Sequence, residues 1–173
     1  MNPVTWRTVK SWSCVGCGMC CKDYHVVLNF NEWISIVKHY GAGTTIPTPS
    51  KLLLGKRSNG TCCFLNQFKN TPSCGLQHAK PLACKIWPFK VFDEPKFGQA
   101  GEALFLYRGR NLYVYVDPEC TGINKGAPTT DFKFKILPEF IDVALGLRQN
   151  QYYSTSKTRV QPFQQRFRGR TVI

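Results

Sequence analysis

Negative charge is scarce in this chain. Ten Asp and Glu stand against 23 Lys and Arg in 173 residues, and no acidic residue follows Asp142. Paired carboxylates for acid–base work are absent, since Asp93-Glu94 runs straight into Pro95 and reads as a turn. Long apolar runs are also missing: no stretch approaches the ~18 residues of a membrane-spanning helix. The opening "MNPVTWRTVKSW" carries neither an apolar h-region nor a small-residue cleavage site. Those two absences set the expectation of a cytoplasmic protein. No G-x-S-x-G, no P-loop and no G-x-G-x-x-G after a strand occurs, so a catalytic activity of its own is not expected. Asn59-Gly60-Thr61 has the form of a glycosylation sequon but reads as a turn.

Cysteine, by contrast, is abundant. There are nine, and four of them fall within "SCVGCGMCCKDYH" as Cys14, Cys17, Cys20 and Cys21. Disulfides need an oxidising compartment, and an odd number leaves one thiol over. Buried packing is a second use. Metal ligation is the third and the strongest, because a C-x2-C spacing turns the chain back so that two sulfurs reach one ion. Cys14–Cys17 and Cys17–Cys20 both have that spacing, and together they match the first three ligands of a bacterial ferredoxin run. The match then stops, because Tyr24 occupies the place of the next cysteine. A fourth donor has to come from Cys21 or from further along. In extended backbone Cys20 and Cys21 would point to opposite sides and serve different centres; a helical turn would remove that argument.

Later thiols repeat the theme at wider spacing: Cys62, Cys63, Cys74 and Cys84 in "TCCFLNQFKNTPSCGLQHAKPLACKIWPF", then Cys120 in "PECTGINKG". His25 and His78 lie close enough in sequence to be additional donors, whereas His39 sits on an expected helix and reads as surface or packing. The order C-x2-C-x2-C-C, C-x-L, C-x-L-x3-K-P-x2-C-K-x-W-P-F and C-x-G-x3-G resembles the CxxCxxCC proteins, the YkgJ-type zinc- or iron-chelating domain. The matching residues are Cys14, Cys17, Cys20, Cys21, Cys63 with Leu65, Cys74 with Leu76, Lys80-Pro81, Cys84-Lys85, Trp87-Pro88-Phe89, and Cys120 with Gly122 and Gly126. Lys80 and Lys85 stand where the family usually has arginine, and Cys62 is an extra thiol that reads as packing or spare.

The resemblance implies that Cys14, Cys17, Cys20, Cys21, Cys63, Cys74, Cys84 and Cys120 hold metal. Eight thiolates exceed what one tetrahedral ion accepts. Two centres, or one cluster with further thiols around it, are the simplest arrangements. An iron–sulfur cluster of 4Fe-4S type is the expected cofactor, favoured by the ferredoxin-like triplet and by Tyr24, Phe64, Trp87 and Phe89 as shields against water. Zinc is the alternative or additional ion.

The rest of the chain suggests a small irregular α+β fold organised around metal, with short helices, a β-hairpin and an extended C-terminal tail. Residues 1–13 read as a lead-in pinned by Trp6 and Trp12. A helix is expected over "NFNEWISIVKHYGAG", capped by Asn29 or Asn31, stopped at Gly41, with Trp33, Ile36, Val37 and Tyr40 on one face. "TTIPTPSK" reads as a loop. A hairpin is expected from Ala103–Tyr107 and Leu112–Val116 about Gly109, and a helix over "ILPEFIDVALGLRQ" with Phe140, Ile141, Ala144 and Leu145 facing inward. The expected division is a cysteine-cluster domain over residues 1–147 and a basic tail over 148–173. In that tail Arg159, Arg166, Arg168 and Arg170 alternate with aromatics such as Phe163 and Phe167. An acidic partner, either a protein complex or RNA, is the expected target, since arginine pairs with phosphate or carboxylate while rings stack on bases.

Overall fold

Two tryptophans draw the beginning of the chain into the interior. Trp6 and Trp12 are both almost fully buried, so the expected lead-in is part of the core. The computed structural model describes residues 2–22, 24–68, 71–77 and 79–153. The first half runs β1 (Val4–Thr5), a 3₁₀ turn (Trp6–Thr8), β2 (Val9–Trp12), a second 3₁₀ turn (Met19–Cys21), β3 (Val27–Leu28) and α1 (Phe30–Tyr40). There follow β4 (Thr45–Pro47), β5 (Leu52–Leu54), β6 (Leu65–Phe68), β7 (Thr71–Cys74) and α2 (Leu82–Ile86). The remainder is β8 (Phe89–Phe92), α3 (Ala100–Ala103), β9 (Leu104–Tyr107), β10 (Arg110–Val116), β11 (Ile123–Lys125), a π-helical turn (Phe132–Ile136) and α4 (Leu137–Ala144). The fold class is the expected α+β.

The largest sheet is centred on β10. Antiparallel β8 lies along one edge, while β9 and β1 share the other. The β9–β10 hairpin closes through Arg108 and Gly109, both at positive φ (51° and 77°), which gives a two-residue turn whose twist suits paired strands. Trp6, Val9, Trp12, Phe89, Leu112, Phe132 and Phe140 pack with this sheet and α4 into one apolar cluster. Trp12 meets Phe89 and Phe140 edge-on, with ring centroids 5.4 and 5.0 Å apart.

A second, smaller cluster joins Leu28, Ile36, Leu54, Cys62, Leu65 and Leu76. It lies under α1 and the sheet ordered β3–β5–β4. Helix α1 forms as expected: Asn29 accepts from Glu32 N, Glu32 returns a carboxylate oxygen to Asn29 N–H, and Gly41 ends the helix. Its apolar face packs inward through buried Ile36 and half-buried Trp33 and Tyr40.

Two local expectations are corrected. Part of "TTIPTPSK" is the strand β4, because Thr45 and Ile46 are β-branched and Pro47 sits on an outer strand of its sheet, where a missing N–H costs nothing. The inward face of α4 also differs. Leu137, Phe140, Ile141 and Val143 are buried together with Glu139, while Ala144 and Leu145 are only half-buried.

Glu139 is buried because the chain folds back over it. Its Oε1 accepts from the N–H groups of Tyr152 (2.6 Å) and Tyr153 (3.1 Å), and Oε2 lies 3.5 Å from the Arg148 guanidinium. Gln151 donates to the carbonyl of Lys85 on α2. Among the described residues no helix is long and apolar enough to cross a membrane.

Candidate metal centre

The thiols arrive from five segments. Gly18, at φ 73°, opens the tight Met19–Cys21 turn and passes so close to Pro72 that an added Cβ would lie 2.9 Å from that ring. The turn is 3₁₀ rather than extended, so Cys20 and Cys21 do not point to opposite sides; their thiols hydrogen-bond to each other. Cys21 O accepts from Cys62 N at 2.7 Å, which brings the second vicinal pair, Cys62-Cys63, against the first. Cys74 ends β7, and Cys84 lies within α2.

Helix α2 is anchored by a residue the sequence reading did not single out. Glu32 Oε1 accepts from Leu82 N at 2.6 Å while Oε2 holds Asn29 N. One carboxylate thereby closes the N-termini of two helices, and the shorter of them bears Cys84.

Cys120 reaches the first thiols by another close approach. The backbone of Ser13 donates to Gly122 O at 3.0 Å, and a Cβ on Gly122 would fall 2.1 Å from Ser13 O. Only glycine fits there, which explains in steric terms the glycine two residues after Cys120. The indole N–H of Trp12 donates to Cys120 Sγ at 3.4 Å, and Thr121 Oγ1 donates to Cys17 Sγ at 3.1 Å.

The thiols influence one another in two overlapping sets. Cys14 feels the charges of Cys20, Cys120 and Cys17, though burial is the larger reason its pKa is raised. Burial likewise raises Cys120, against which the Trp12 N–H acts. The other set contains Cys20, Cys21, Cys62, Cys63, Cys74 and Cys84. Burial lifts Cys84 and Cys74, and both feel Cys20 and Cys62. The hydrogen bond from Cys21 pulls Cys20 down to about 7. Cys62 is lowered strongly by the thiols of Cys21 and Cys63, while those two are correspondingly raised. Lys80, itself buried, is a cation close enough to favour the thiolates of Cys20, Cys74 and Cys84. Cys62 therefore packs in the smaller core and also joins the chain of sulfur contacts, beyond the packing role expected of it.

The expected shields divide among three places. Phe89 lies in the main core, Phe64 packs on the smaller one, and Tyr24 and Trp87 form a ring pair 4.0 Å apart. Tyr24 OH donates to buried Asp117, which also stands 3.9 Å from Lys90 Nζ. His25 is exposed, and a ring nitrogen of His39 lies 2.7 Å from Ser35 O on the surface of α1. His78, Arg159, Arg166, Arg168 and Arg170 lie outside the described residues.

By chemistry the donor set fits a thiophilic metal: soft sulfurs, a buried cation to offset thiolate charge, and hydrogen bonds to sulfur from Trp12 and Thr121. As they stand, the sulfurs meet as linked pairs. Among the described residues no three His, Cys, Asp or Glu side chains are already gathered into a coordination sphere. Coordination of zinc or iron by such residues would deprotonate the thiols and tie the five segments together.

The fold and its sulfur-lined centre define a small α+β domain of the metal-binding class. The sequence pattern of the CxxCxxCC family, described as "Putative zinc- or iron-chelating domain", matches residues 13–121, and the chain belongs to that family. Neither curated proteins nor solved structures give a match.

Proposed function

We propose that Cys14, Cys17, Cys20, Cys21, Cys63, Cys74, Cys84 and Cys120 build an iron–sulfur centre, four of them ligating a cluster and the others surrounding it or holding a second centre, and that the domain works as an accessory or assembly module docked on a larger partner. The observation that carries this reading is the juxtaposition of the Cys20-Cys21 and Cys62-Cys63 pairs with Cys74, Cys84 and the buried cation Lys80. When bound, a cluster supplies one-electron chemistry and a rigid inorganic staple. The chain's own part is to hold the sulfurs, to neutralise their charge through Lys80, and to place N–H and O–H donors on Cys120 and Cys17. The basic tail, with Arg159, Arg166, Arg168 and Arg170, supplies the contact to an acidic protein complex or RNA.

Metal and sulfide analysis of anaerobically purified protein tests the cluster. Brown protein with iron and acid-labile sulfide is expected; colourless protein with stoichiometric zinc overturns the cluster and leaves a structural zinc centre. A second reading, a small electron-transfer protein, draws on the N–H donated to Cys120, since hydrogen bonds to sulfur tune cluster potentials. Reversible one-electron reduction would favour it. A third, a nucleic-acid-associated protein with structural metal, draws on the Arg-aromatic tail and predicts steeply salt-dependent RNA binding.

A further inference from the structure

Lys22 and Thr61, the sequence neighbours of Cys21 and Cys62, help to line a cavity of 440 Å³ that the metal reading does not use. Its walls include Lys22, Arg57, Asn59, Thr61, Asn66 and Gln67, and none of the described residues lining it is acidic. We propose that this cavity is a binding site for a small oxyanion bearing two or more negative charges, a phosphate or a polycarboxylate.

The site is built from fixed parts. Residues 57–61 form a self-bonded turn: Arg57 N donates to Thr61 O (2.7 Å), Gly60 N to Arg57 O (2.9 Å), and the Thr61 N–H and hydroxyl both donate to Asn59 Oδ1 (3.2 and 2.7 Å). Arg57 Nη2 donates to Cys63 O at 2.9 Å. That bond orients the guanidinium and leaves its other N–H groups for a ligand. Lys22 is held at the end of the Met19–Cys21 turn, its N–H on Met19 O at 2.9 Å and its carbonyl accepting from Lys56 Nζ at 3.1 Å. Strand β6 adds Leu65, Asn66 and Gln67 to the lining, the last two with side-chain amides able to donate.

Two cations and two amides around one concavity select for charge and for oxygen acceptors. A neutral apolar ligand would offer neither cation a counter-charge or an acceptor within the cavity. The volume suits a small molecule rather than a polymer segment, which separates this site from the partner contact assigned to the tail. Nor does it depend on which metal the thiols hold.

Calorimetric titration of the full chain, as purified with its metal, tests the site. The probes are inorganic pyrophosphate and tricarballylate, at an ionic strength of about 0.05 M so that surface charge is partly screened. Saturable binding of one or both is expected, and which of them binds distinguishes a phosphate from a carboxylate site. Lys22→Gln and Gln67→Glu, both at exposed positions, should each weaken binding by about tenfold or more, the worth of one charge-assisted hydrogen bond. Lys38→Gln, an exposed lysine on α1, should leave affinity unchanged and serves as the control for general attraction by a chain of net charge +13. No saturation of either probe below about 10 mM, or equal affinity in all three variants, overturns the proposal.

Discussion

The indole N–H of Trp12 points at the sulfur of Cys120, 3.4 Å away, from a side chain otherwise locked between Phe89 and Phe140. A donor aimed at sulfur favours thiolate over thiol. Replacement by phenylalanine keeps an aromatic ring and removes the N–H. In metal-free W12F, the pH profile for alkylation of Cys120 should therefore move upward, read by mass spectrometry of the labelled peptide. An unmoved profile would mean that the contact is packing alone.

Cys20 should be the most readily ionised of the partly exposed thiols. Its hydrogen bond from Cys21 lowers its pKa from 9.0 to about 7. A lowered acid contributes stability that is complete above its unfolded value and lost as pH falls through the folded one. Metal-free protein should thus lose stability between about pH 9 and 7 through this group. C21A should abolish the contribution of Cys20, because it removes the donor, and lessen that of Cys62, which the same thiol lowers, so the slope should become shallower. Urea midpoints measured across the range check both statements.

Gly122 should tolerate no side chain. With Ser13 O at 2.1 Å from any added Cβ, G122A must push β11 from β2 and carry Cys120 away from Cys14. The expected cost is about 3 kcal/mol, or a fall in melting temperature of roughly 10 °C. Metal content per chain should drop with it. G109A, remote in the hairpin turn and strained only by its φ of 77°, should lower stability without loss of metal.

Removing the metal should loosen the molecule unevenly. Among the described residues the main cluster, on β8–β10 and α4, gathers thirteen buried residues and no buried thiol, with only Cys120 packed against it; the smaller gathers six, one of them Cys62, with Cys21 and Cys74 packed against it. After chelation, hydrogen exchange should accelerate across residues 14–86, while Arg110–Val116 and Leu137–Ala144 stay protected. Uniform loss of protection would show that the centre staples the entire domain.

Glu32 separates helix capping from support of the centre. N29A removes the cap of α1 alone, at about 1 kcal/mol. E32A keeps the bond from Glu32 N to Asn29 but removes the other half of the box, the acceptor for Asn29 N, and also the acceptor for Leu82 N at the start of α2. Both variants should lose similar stability at α1, yet only E32A should release metal faster to a chelator, through the helix that bears Cys84.

Much of this was legible from local chemistry. The α1 cap, the stop at Gly41 and the Arg108-Gly109 turn each depend on residues within a few positions of one another, and those rules are sharp. The thiol spacing pointed to the sulfur centre because C-x2-C geometry is also local. What escaped were features decided by distant contacts. Trp6 and Trp12 gave no periodic pattern to reveal strands, since β1 and β2 are two and four residues long and take their place from β10 and β11. Helix α2, at five residues, is too short to show a period, and its anchor lies fifty residues upstream in Glu32. Burial of Glu139 needed the return of Tyr152 and Tyr153, which no property of α4 itself announces.

That return fixes where force enters the molecule. Tyr152 and Tyr153 hang from a carboxylate sunk in α4, and Gln151 from a carbonyl of α2. A pull on the chain at Tyr153 would meet α4 first, through Glu139, and then, through Gln151, the short helix that bears Cys84.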